Sequence, residues 1–290
     1  MASSSTRTPP TGKFALEVAK AFAGWVAKFE GGQPVTDVTT DKSGHRVAGV
    51  KYEDITITCG VGMSKTFYEW IRTSLGRQHL RNDGVVRTVD LYEDVVGELD
   101  FQQALLTEVG FPALDAAAKD AAWMTVKLSP ESTRNAKGGG KLSLVAPFKG
   151  QKWISSNFRL TIDGLDCKSV NQVQALTLTR KMIKDPDGKL QPGDFQVPNL
   201  PITLAEAQAA SFFDWERTSL VQVTKQEKGG TLEFLTPDLK TMLFTLSFQG
   251  LGIMSVTPDP LDVRKVIRHV QVKMYCQGIG FSYQSAVVGA

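Results

Sequence analysis

The sequence predicts an α+β fold of mostly antiparallel strands, built as two tandem units, each a β-sandwich or partial barrel of about six strands with one packed helix. Three observations predict it. First, Thr66 to Leu75 (TFYEWIRTSL) and Ser211 to Leu220 (SFFDWERTSL) are near-copies, with Trp70 and Trp215 placed 145 positions apart. A period that long means two domains of one fold and not a solenoid of short repeats. Second, further matches keep the same order. Asp54 to Thr58 lies over Asn199 to Thr203 at 145, Phe14 over Phe158 at 144, and Val126 to Leu128 over Val272 to Met274 at 146. Val89 to Tyr92 over Leu232 to Leu235, and Phe101 over Phe244, are aligned at 143. Third, short alternating apolar runs separated by turn residues flank a single helical stripe in each half.

Taken in order, residues 1–12 (MASSSTRTPPTG) lack the apolar stretch of a secretory signal and read as a flexible tail. The first unit is expected over residues 13–136. Its runs FALEVA and AGWVAKFEGG suit paired strands, whereas residues 31–50 are polar and turn-rich, a long loop or an extended hairpin. Tyr52 to Cys59 alternates with period two, a strand with Ile55 and Ile57 on one face. Ser64 then stands as N-cap to a helix carrying Phe67, Trp70, Ile71 and Leu75, with Gly76 as its stop. Strands follow at Val85 to Tyr92, Phe101 to Val109 and Trp123 to Leu128. Residues 137–156 form a linker and crossing segment, opened by Lys137-Gly138-Gly139-Gly140-Lys141.

The second unit, residues 157–285, restates the pattern. Thr203 and Glu206 have capping-box spacing before a helix whose stripe is Phe212, Trp215 and Leu220. Strands are expected at Thr231 to Leu235, Met242 to Leu251 and Val270 to Cys276. Each Trp reads as the anchor of its helix on a sheet, since aromatics at helical spacing are usually core.

Composition narrows the function. A net charge of +3, from 33 basic and 30 acidic residues, gives no overall basicity for phosphate binding. Three scattered cysteines, Cys59, Cys167 and Cys276, make neither a disulfide framework nor a zinc quartet. No run approaches the roughly 18 apolar residues of a membrane span, and folding in the bacterial cytoplasm is expected. With three histidines (His45, His79, His269) and no HExxH, a metal site has little material. GxSxG is missing, and Gly138 to Lys141 lacks the Ser or Thr of a phosphate loop, Leu142 standing there instead. Gly60-Val61-Gly62 lacks the third glycine of a dinucleotide fingerprint. Asp90 and Glu233, aligned at 143, read as solvated strand residues and His269 as a structural histidine. No enzyme and no cofactor is expected.

Lys51 to Ile71 (KYEDITITCGVGMSKTFYEWI), preceded by FEGG (Phe29 to Gly32), resembles the tail-tube proteins of contractile phage tails and related injection particles. Asn157 to Leu165 (NFRLTIDGL) is similar to that family's opening strand with its Asp-Gly turn. The resemblance implies a sheet that packs its helix on one side and lends strands to a ring-shaped barrel around a channel. It implies self-association into stacked rings, sheath and baseplate or spike proteins as partners, and nucleic acid or protein cargo that only passes through the lumen. With two units per chain, three chains would complete a pseudo-hexameric ring in a virion tail or phage-tail-like particle. The loop that reaches the adjacent ring in that family places candidate stacking contacts at Asp37, Asp41, Lys42, His45 and Arg46, and at Lys184, Asp185, Asp187 and Lys189. A baseplate hub or tube-initiator ring, and a duplicated ligand-binding β-barrel, remain as alternatives.

Overall fold

The computed structural model describes residues 11–41, 44–142, 153–184, 190–221, 226–261 and 267–284. The first half gives β1 (Thr11–Val18), β2 (Ala21–Gly31), β3 (Pro34–Asp41), β4 (Gly44–Tyr52), β5 (Ile55–Cys59), α1 (Lys65–Leu75), β6 (Arg81–Asp90), β7 (Val95–Phe111), β8 (Leu114–Asp115), β9 (Met124–Ser129) and β10 (Ser132–Lys137). The second gives β11 (Phe158–Ile162), β12 (Val170–Val173), β13 (Leu176–Lys184), β14 (Leu190–Gln196), β15 (Leu200–Ala205), α2 (Ala210–Glu216), β16 (Lys228–Leu235), β17 (Met242–Pro258), β18 (His269–Tyr275) and β19 (Gly278–Tyr283).

Six strands of the first unit close on themselves. β1 pairs with β2, β2 with β5, β5 with β9, β9 with β7, β7 with β6, and β6 with β1, all antiparallel. The local chemistry explains the pieces. In β5 the residues Ile55, Ile57 and Cys59 are buried while the threonines between them are not, as a pleat with one packed face requires. A two-residue turn, Ala19-Lys20 with φ of 51° and 65°, joins β1 to β2 and matches the strands' right-handed twist. Helix α1 is capped by the Ser64 hydroxyl, which accepts from the Phe67 N–H, and ends at Gly76. It turns Phe67, Tyr68, Trp70 and Ile71 into the core.

The second unit repeats this as β11-β16-β17-β18-β15-β12, but among the described residues β11 and β12 do not pair, so the barrel is left open at that seam. β12 has 4 residues where β2 has 11, too few to reach back across. Bulges recur at matching places. The Val26/Lys28 bulge returns at Val170/Gln172, and the Leu106/Glu108 bulge at Ile253/Ser255.

Pairing registers correct two sequence alignments. Gly84 lies opposite Phe101 and Gly230 opposite Phe248, so these strands repeat at 146 and 147 instead of 143, and Glu233 corresponds to Arg87, not to Asp90. The expected Thr203–Glu206 capping box is also absent. Pairing with β18 carries β15 through Ala205, a 3-10 turn follows at Glu206–Gln208, and α2 starts after Ala209 without a side-chain cap. The strand ladder outranks the local cap there. Residues 31–50, for which a loop and a hairpin were both open, form the hairpin β3–β4.

Candidate assembly interface

The two units join by strand addition. β13 leaves its own unit and pairs with β7 of the first, Leu176 to Thr179 lying opposite Phe111 to Glu108, and β8 in turn pairs with β12. Arg180, next along β13, is buried. Its Nε donates to the Leu106 carbonyl at 2.9 Å, Nη1 to the Gly193 carbonyl at 2.9 Å and Nη2 to the Ser74 carbonyl at the end of α1 at 3.1 Å. Nη1 also lies 2.7 Å from His79 Nδ1, which as acceptor must be the unprotonated ring nitrogen. The Phe195 ring covers the guanidinium at 4.4 Å. A buried cation so fully partnered fixes the hairpin in one position.

An aromatic seam closes the rest of the joint. Tyr68 of α1 stacks on Tyr283 at 5.2 Å and meets Phe244 at 5.6 Å, while Phe111 stacks on Phe234 at 5.8 Å. Trp153 stands edge-on to Phe234 and Phe244. The Tyr283 hydroxyl donates to the Glu69 carboxylate, tying the last strand to α1. Burial, and then that carboxylate, push the Tyr283 phenol up to about 12. The same bond, helped by Arg72, holds Glu69 below its usual value.

The two strands of this joint each have a counterpart that, among the described residues, lacks a partner strand. β3–β4 corresponds to β13–β14: Val35 faces Lys51 as Thr179 faces Gln196, and Thr36 faces Val50 as Arg180 faces Phe195. Yet β3–β4 is a two-stranded sheet by itself, with Val35, Val38, Val47 and Val50 at 46%, 51%, 71% and 59% exposure. An isolated hairpin with bare valines is marginal in water. The counterpart of the β7 edge that β13 covers is the C-terminal half of β17. Val256 corresponds to Val109, since each faces a valine, Val272 or Val126, across its own barrel. Ser255 to Pro258 pair with β18 on one side, and among the described residues no strand covers the other. There the Val256 N–H is held at 2.8 Å by the carboxylate of Glu216 from the end of α2.

The sequence-derived anchors fall as follows. Phe67, Trp70, Phe212 and Trp215 are buried, and Leu75 is half-buried against the core. The side chain of Leu220 lies outside the described residues. The two indoles repeat one hydrogen bond, Trp70 to the Leu80 carbonyl at 3.0 Å and Trp215 to the Gln226 carbonyl at 2.8 Å. Of the candidate stacking residues, Asp37 is paired with Lys51 at 2.8 Å, His45 Nδ1 lies 2.9 Å from the Thr40 hydroxyl, and Arg46 is exposed beside it. Lys42, Asp185, Asp187, Lys189 and the side chains of Asp41 and Lys184 lie outside the described residues. Sequence reasoning passed over Tyr68, Tyr283, Arg180 and Glu216. The one available signal was at position 216, where the repeat changes Ile to Glu inside an otherwise conserved stripe.

Among the described residues no group of three His, Cys, Asp or Glu could hold a metal ion, and no helix is long and apolar enough to cross a membrane. The Cys59 thiol is pushed up to about 12 by burial, far from a reactive thiolate.

Residues 25–134 match the family model described as T4-like virus tail tube protein gp19. No curated protein sequence matches the chain. Among solved structures, a chain of the anti-feeding prophage baseplate is 9% identical with a TM-score of 0.36, the alignment covering 43% of this chain and 91% of that one. A chain of the extracellular contractile injection system PVC sheath-tube complex in its extended state is 14% identical with a TM-score of 0.33, covering 49% and 95%. Hcp1 from Flavobacterium johnsoniae is 14% identical with a TM-score of 0.32, covering 44% and 95%.

Proposed function

We propose that this chain, whose residues 25–134 match the gp19 tail-tube family model and whose second half repeats the order of the six barrel strands, is a structural subunit that closes head to tail into a ring around a channel. One observation carries this reading: the β13–β7 joint inside the chain, together with a donor hairpin at one end and an acceptor edge at the other that are both without a partner strand among the described residues. Such a contact between unlike patches is heterologous, and copies joined by it form a ring if the rotation closes. Strand addition also removes the exposed edges that invite aggregation.

The chain enters the two hairpins differently. Gly31, the last residue of β2, and Gly32 after it have φ of 88° and 79°, a conformation open to glycine and costly to other residues. Their counterparts, Ala175 and Leu176, have no such freedom, in keeping with a hairpin fixed inside the chain.

Three chains would place six units in one ring, and the hairpin tips near His45 and Arg46 would be left to contact the next ring. Sheath and baseplate proteins are the expected partners. Buried side chains such as Leu16, Ile57 and Leu106 in one barrel, and Leu160, Ile202 and Leu246 in the other, belong to the hydrophobic core, which favours a structural barrel over a ligand-binding one. The inequivalence of the two units favours a second position in the same machine, a single initiator ring matching a threefold spike.

Sedimentation velocity and negative-stain microscopy of the purified chain test this. Rings of three chains stacked into tubes are expected. Single rings that stack only with a partner point to the initiator, and a chain that stays monomeric at high concentration overturns the proposal.

A further inference from the structure

The two joints are not chemically equal, and each difference weakens the one between chains. Where the internal joint has Leu178, Arg180 and Phe111, the external one has Pro34, Thr36 and Pro258. Two prolines withdraw ladder donors, and Thr36 cannot reach the carbonyls that Arg180 ties together. The fourth difference is Glu216, which stands where the first unit has the fully buried Ile71. Its carboxylate accepts from the N–H of Val256, and Val256 corresponds to Val109, the residue that Leu178 faces in the internal joint.

We infer that Glu216 guards the acceptor edge, its carboxylate standing in for the backbone of the incoming strand so that a second copy of this chain must displace it to add its β3 hairpin. The internal joint is permanent and the external one conditional. A charged acceptor on that N–H is a stronger partner than a neutral carbonyl, so opening the edge has a cost that only a correctly seated hairpin offsets. Glu53 plays a minor counterpart on the donor side, where its carboxylate accepts from the Gln33 N–H at 3.3 Å. The edge is thereby kept from pairing at random, as exposed edges in other proteins are kept by charge and proline.

This inference rests on ring closure through that edge, and the test separates the two. The wild-type chain, E216Q and E216I are compared in two measurements: hydrogen exchange of the peptide containing Val256 at a concentration where every chain is monomeric, and the concentration at which rings form. E216I carries the residue of the first unit, and E216Q keeps an acceptor without the charge. Expected are slow Val256 exchange in the wild type and fast exchange in E216I. Ring formation by E216I at a concentration lower by about tenfold or more is also expected, the lower end of a charged hydrogen bond's worth, with E216Q between them. If wild type forms rings and both variants form them at the same concentration with the same Val256 exchange, Glu216 is no guard and ring closure stands. If no chain forms rings at any concentration, ring closure and the guard both fall.

Discussion

At the scale of single residues, the repeat is held by two tryptophans whose faces are packed and whose N–H groups reach the same carbonyl in each unit. Trp70→Ala and Trp215→Ala should each lower unfolding free energy by about 3–5 kcal/mol, as buried large-to-small changes do. Trp70→Phe keeps most of the packing, and should lose only the hydrogen bond, about 1 kcal/mol. Denaturant titrations in which W70F costs as much as W70A would show that the hydrogen bond, and not the apolar face, is the anchor. Tyr283 and Glu69 make a pH-dependent tie between the units. The Tyr283 phenol is raised from 10.0 to about 12, so its contribution is complete below pH 10 and is lost as pH climbs through 12. Glu69 is lowered from 4.5, so its share is present above that value and is lost as pH falls below it. The difference in melting temperature between wild type and Y283F should therefore be widest between those limits and shrink toward both ends. A gap that stays constant from pH 7 to pH 12 would mean that the bond contributes nothing to folding.

At the scale of elements, what the sequence disclosed and what it hid follow from how far apart the deciding contacts lie. Strand β5 and helix α1 announce themselves through local periodicity, and the Ser64 cap and Gly76 stop stand where the residue types put them. The alignment of β7 with β17 slipped by four positions because a shift by an even number keeps apolar residues on the same face of a strand. Docking of β13 on β7 was invisible: the alternation of Leu176 to Arg180 marks a strand but not its partner, and only a strand about seventy residues earlier buries Arg180. Glu216 was hidden for the same reason, since its backbone partner lies 40 positions ahead. The hairpins therefore offer a contrast that needs no assembly to check. Arg180→Met leaves the carbonyls of Ser74, Leu106 and Gly193 without their donor, and should cost about 2–4 kcal/mol. Its counterpart Thr36→Ala, on an exposed hairpin, should change stability by less than about 0.5 kcal/mol. Equal effects in thermal unfolding would show that the two hairpins are not docked differently in the isolated chain.

At the scale of the whole molecule, the register of the internal joint predicts the external one residue by residue. Thr179 faces Glu108 across β13 and β7; the same relation carried to the free ends sets Val35 of one chain opposite Ser255 of the next. Residues directly opposite in an antiparallel pair bring their Cβ atoms to about 4.5–5.5 Å, within a small backbone shift of a disulfide. The V35C/S255C double variant should therefore cross-link between chains under mild oxidation, while neither single variant should. Native thiols give little background, because burial pushes Cys59 up to about 12, Cys167 up to about 11, and Cys276 upward as well. Ring closure at six units demands that the denaturing-gel ladder stop at three chains, with the trimer accumulating as a covalent circle. A ladder that continues past three would mean that the same contact opens into a helical filament or a larger ring. Rings seen by microscopy without any cross-link would place the hairpin elsewhere, and the correspondence between the internal and external joints would then be wrong.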